Sequence, residues 1–116
     1  MIIEQKMFDL SFLEQMDDKN FIVQVIVLYI HDTHLDLQEM NLAFQSGNYD
    51  AVYKTAHKLK SSTGMLQANS LYNILEKTEK VAKEGLEIGV LAGLIKDAQD
   101  EFTQLRYELE EVLEQN

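Results

Sequence analysis

Apolar residues recur every three or four positions through most of the chain, the spacing of one face of an α-helix. Ile26, Ile30, Thr33, Leu37, Met40 and Phe44 form one seam, on a helix of about seven turns that ends at Ser46-Gly47. Val52, Ala56, Leu59, Thr63 and Leu66 form a second. Leu71, Ile74 with Leu75, Thr78 and Val81 with Ala82 form a third. Leu91, Leu94 with Ile95, Ala98, Phe102, Leu105, Leu109 and Val112 form the last. No period-two alternation marks a strand, and no repeat or low-complexity linker interrupts the pattern.

The breaks between seams carry helix-ending chemistry. Asp9 is placed to cap a short helix over 10–16, and Asp18, within the break at 17–20, to cap the long one. Ser46-Gly47 stops that helix, because Gly accepts the positive φ of a C-terminal stop, and Asn48 caps the next. Glu84-Gly85 closes the fourth. Four amphipathic helices with short connections can close one core, so the expected fold is all-α: an antiparallel four-helix bundle with a short N-terminal capping helix, one domain over 1–116.

Composition narrows the function classes. The 116 residues include no Cys, which excludes disulfides, thiolate zinc sites and a cysteine nucleophile. Ten Lys and Arg against twenty Asp and Glu leave a net charge of −10, which disfavours nucleic acid and anionic membranes as partners. The strongly apolar run from Phe21 to Ile30 contains Gln24 and is ten residues long, against the ~20 that a membrane span needs. Nothing at the N-terminus resembles a signal peptide. A cytoplasmic, monomeric protein is expected, and Met1 with the acidic tail points to a free-standing one.

The charge is uneven. Between Ala51 and Lys83 lie Lys54, Lys58, Lys60, Lys77, Lys80 and Lys83 against Glu76 and Glu79, so this stretch is +4 and the rest −14. A basic island on an acidic chain suits a small anion or an acidic partner. Helix faces solubilised by whatever charge was available are the plainer account.

The three His sort differently. His31 and His34 stand near Asp32 and Asp36, a set able in principle to hold a metal. No Glu precedes any of the His by three positions, so a di-iron bundle site cannot be built, and a solvated polar patch is the better reading. His57 is more informative. With the third helix's seam at zero, it falls at about 140°, pointing outward. Gly64 lies at about 120°, Ser61 at about 180°, Lys54 at about 200°, and Lys60 on the shoulder at about 80°. An uncovered imidazole ringed by small residues and ammonium groups suits a nucleophile for a dianionic group. A neutral imidazole nitrogen attacks phosphorus well, and nearby Lys stabilises developing phosphoryl charge. Taken alone, a surface His beside Lys is usually only that.

The run AHKLKSSTGMLQA at 56–68 resembles the signature of histidine-containing phosphotransfer (HPt) domains, A-H-x-L-K-G-S-S-x-x-L-G-A. The segment Asp9-Leu10-Ser11-Phe12-Leu13 and the helix lengths extend the likeness over the chain. Two positions depart from it: Ser61 and Gln67 stand where the family usually has Gly. The first narrows access to His57 or offers a hydroxyl to a phosphoryl oxygen. The second puts the following turn in doubt.

The resemblance implies a phosphorelay intermediate. His57 would take a phosphoryl group from the aspartate of a response-regulator receiver domain, or exchange it with a hybrid sensor kinase, and pass it to another receiver. The family places a Gln or Glu 22 residues after the His, here Glu79, to bind the imidazole and leave Nε2 free. Lys60 is the first choice to neutralise the phosphoryl group, and Lys54 and Lys58 to steer the partner. Phe12, Phe21 and Ile22 are candidates for apolar docking. No Gly-rich phosphate loop or kinase constellation is present, so the chain is read as a carrier and not a kinase. No cofactor is expected; magnesium belongs to the receiver. The rival reading is a helical module that docks on a receiver and is never phosphorylated.

Overall fold

The computed structural model describes residues 7–115; Met1, on which the expectation of a free-standing chain partly leans, lies outside them. Five helices follow in order: α1 (Ser11–Glu14), α2 (Lys19–Gln45), α3 (Tyr49–Met65), α4 (Asn69–Glu84) and α5 (Ile88–Glu114). Each long helix packs on its chain neighbour, and α2 also packs on α5, so α2 to α5 close into an antiparallel bundle.

The boundaries follow the capping residues. Asp18 Oδ1 accepts the Phe21 N–H at 3.1 Å, and Asn48 Oδ1 accepts that of Ala51 at 3.1 Å. Gly47 and Gly85 take φ of 78° and 68°, the left-handed values that end α2 and α4. Asp9 differs from expectation. It stands one residue ahead of the cap position, its Oδ1 accepting the Ser11 N–H at 2.8 Å, and α1 is four residues instead of seven. Asp17, left-handed at φ 51°, turns the chain sharply toward α2.

The seams face inward as the spacing predicts. Ile26, Met40, Val52, Ala56, Leu66, Leu75, Ala98, Leu105 and Leu109 have no exposed surface, and Phe44 is half-buried. Tyr29 enters the core between seams, its ring edge-on to Phe102 at 6.2 Å. Its hydroxyl bonds the Thr63 hydroxyl at 2.9 Å, which satisfies two buried polar groups at once. α1 caps the end of the bundle where α3 turns into α4: Leu13 is fully buried, and the Asp9 N–H donates to the Leu66 carbonyl at 2.9 Å.

That turn contains Gln67, left-handed at φ 50° without being Gly. Its side-chain amide donates to the Asp9 carbonyl at 3.4 Å and the Ser11 hydroxyl at 3.2 Å. The residue that departs from the family pattern therefore ties the capping helix to the α3–α4 turn.

Candidate functional site

Ala56 and Leu59 are committed to the core, so the residue between them on the opposite face must look outward. His57 does, with its side chain 66% exposed. Ser61 and Gly64, on the next two turns of the same face, are exposed too. A Cβ on Gly64 would touch only the Tyr72 ring, at an ordinary 3.6 Å. Nothing in the fold therefore demands Gly there.

Glu79 reaches His57 from α4. Leu75, Thr78 and Ala82 fill the core, which puts Glu79 on the helix flank facing α3. Its Oε1 lies 2.9 Å from His57 Nδ1 and its Oε2 2.8 Å from Lys60 Nζ. The Lys60 ammonium, and secondarily His57, hold the Glu79 carboxyl below its ordinary range against the opposing effect of burial. Glu79 in turn raises Lys60. An ionised carboxylate only accepts hydrogen bonds, so Nδ1 carries the proton and Nε2 keeps its lone pair.

Three of the six lysines of the basic island are ion-paired. Lys60 is drawn to Glu79, and Lys54 meets Asp50 at 3.0 Å one turn away. Lys58 leans back onto Asp36 of α2 at 3.2 Å. Asp36 is itself buried at 8% exposure, and the cation across the helix interface balances its charge. Asp36 thus faces α3, whereas His34 borders a recess with Gln99 and Phe102 of α5. Among the described residues no three His, Asp or Glu side chains gather as a metal site.

Two contacts lay beyond sequence reasoning. The Tyr53 ring stacks on the His57 imidazole at 6.2 Å between centroids and 26° between planes. The Lys83 ammonium stands 5.8 Å from the Tyr53 ring centre. In the sequence Tyr53 is only an aromatic one turn before the His, and Lys83 only one member of the basic island.

Apolar surface adjoins the site. Phe12 and Met65 border a recess of about 520 Å³ that also touches Ser61, Gly64 and Gln67. Met65 and Leu28 border another between α2 and α3. Phe21 is 37% exposed, while Ile22 is half-buried against the core. Among the described residues no helix is long and apolar enough to cross a membrane.

The bundle superposes on histidine-containing phosphotransfer protein B (HptB) from Pseudomonas aeruginosa PAO1 with a TM-score of 0.90 and 21% identity, over 97% of this chain and 99% of that one. No curated relative matches. The Hpt domain pattern matches residues 24–115, which include His57, Lys60 and Glu79. By that match, covering most of its length, the chain belongs to the Hpt domain family.

Proposed function

We propose that this chain carries a phosphoryl group on His57 between receiver domains of a phosphorelay. The observation that carries the reading is the Nδ1–Glu79 contact at 2.9 Å on a ring otherwise 66% exposed. Nε2 attacks the phosphorus of a receiver's aspartyl phosphate. The Nε2–P bond forms as the acyl P–O bond breaks, and the aspartate leaves as carboxylate. The Nδ1 proton stays in place, and the ring becomes an imidazolium whose new charge faces the Glu79 carboxylate. Transfer onward reverses these steps on a second receiver.

Lys60 keeps Glu79 ionised and adds positive charge at the edge of the site; the Ser61 hydroxyl, exposed one turn after His57, donates to a phosphoryl oxygen in this reading. Lys54 and Lys58 meet the acidic receiver pocket, whose magnesium belongs to the receiver. Phe12, Phe21 and Met65 supply apolar docking surface. The chain contributes no nucleotide site and works as a carrier, in the cytoplasm and as a monomer.

The test is transfer from a receiver charged with acetyl phosphate, read on a phosphate-retarding gel beside His57→Gln. A shifted band in the wild type alone supports the carrier. Binding without a shift across several receivers would replace it with the docking-only module.

A further inference from the structure

A single hydrogen bond does not fix an exposed imidazole. The contact from Nδ1 to Glu79 Oε1 restrains one edge of the ring, yet small coupled changes of χ1 and χ2 still tilt its plane. A flat neighbour stacked on the ring removes this freedom, because turning would break the face contact. Tyr53 supplies that neighbour, 6.2 Å away and within 26° of parallel. It lies one turn before His57 on α3 and is anchored by packing against the core. Lys83 approaches the Tyr53 ring at 5.8 Å from α4, near enough for a cation–π attraction.

We propose that Tyr53 is a positioning residue for His57, setting the tilt of the imidazole and so the direction in which Nε2 points, and that Lys83 holds Tyr53 in that place. This rests on the reading of His57 as the phosphoryl acceptor. Glu79 and Tyr53 then have separate roles, since Glu79 fixes the tautomer and the in-plane direction while Tyr53 fixes the plane. Neither touches the phosphoryl group. The ring of Tyr53 matters and its hydroxyl does not, which separates the role from hydrogen bonding.

The experiment uses phosphoramidate, a small donor that needs no partner protein: its P–N bond breaks, ammonia leaves, and the P–Nε2 bond forms. Tyr53→Leu, which keeps apolar bulk, slows this step about two- to tenfold, measured well below its melting temperature with helicity checked by circular dichroism. Tyr53→Phe and Lys83→Arg react at the wild-type rate. Lys83→Gln gives a smaller loss that disappears in the Tyr53→Leu background. In the unphosphorylated protein, the carbon-bound imidazole protons of His57 move in Tyr53→Leu, where the ring current is lost, and not in Tyr53→Phe. Wild-type rate in Tyr53→Leu overturns the proposal, as does a Tyr53→Phe variant slowed equally. If the wild type takes no phosphoryl group, the reading of His57 falls and the kinetic role falls with it, whereas the imidazole shifts still decide whether Tyr53 stacks on the ring.

Discussion

His57 and Glu79, 22 residues apart in the chain, meet at 2.9 Å between Nδ1 and Oε1 across the α3–α4 interface. The separation is fixed by a helix, a turn and a helix, and both residues sit one position beside the core. Glu79→Gln keeps a polar group there but loses the charge that faces the imidazolium. Transfer from a charged receiver should fall by about tenfold, the worth of one charge-assisted hydrogen bond at a half-open site. Single-turnover kinetics measures it, and an unchanged rate removes Glu79 from the mechanism.

The Lys60–Glu79 pair makes stability depend on pH at both extremes. Glu79 is lowered from 4.5 by Lys60, so its contribution is complete above the ordinary carboxylate value and is lost as pH falls through the lowered one. Lys60 is raised from 10.5 by Glu79, so its contribution is complete below that value and is lost as pH climbs through the raised one. Between them the pair adds a constant amount. Lys60→Met should lower melting at neutral pH and flatten the acid side, because the remaining carboxylate has lost its main partner. Melting followed from neutral into acid, for both proteins, reads this directly.

Tyr29 predicts a separate alkaline loss. Burial pushes its phenol up from 10.0 to about 12, partly offset by bonds to Thr63 and Thr33. The unfolded chain releases this proton first, so stability falls between those two values, by roughly 2–3 kcal/mol in all. Tyr29→Phe should be about 1 kcal/mol less stable at neutral pH, having lost its bond to Thr63. It should then lose less than the wild type in alkali. Urea unfolding at neutral and alkaline pH compares them.

Gln67 offers a test of backbone against side chain. At φ 50° the residue bears left-handed strain, and its amide bonds Asp9 and Ser11. Gln67→Ala keeps the strain and drops both bonds, whereas Gln67→Gly drops both bonds and the strain. The Gly variant should exceed the Ala variant by about 1 kcal/mol in urea unfolding. Equal stabilities would mean that the turn relaxes in Ala.

The seams from Ile26 to Val112 carried the bundle, because a helix that buries one face must repeat every three or four residues. The same arithmetic turned His57 outward, and the family resemblance pointed to Glu79. Cross-helix pairing was less legible. Asp36, grouped in the sequence with His31 and His34, turns instead to Lys58 on α3. Tyr53 covers one face of His57, which spacing alone had left open. Which side chains meet depends on how far one helix slides along another, and no single helix's periodicity records that slide. α1 ends earlier than the spacing predicts for a local reason: the Met16 and Asp17 N–H groups donate to the Leu13 and Glu14 carbonyls three residues back, a tighter turn than the α-helix.

The openness of His57 has a consequence for the order of events in a relay. A side chain 66% exposed on a helix flank has no chamber around it. A phosphoryl group held there would be protected from water by the slowness of its own hydrolysis and by whichever protein is docked at that moment. One face also admits one visitor at a time. Visits to such a face would form a queue, in which the donor must leave before the acceptor arrives, and slow departure would limit how fast phosphate moves.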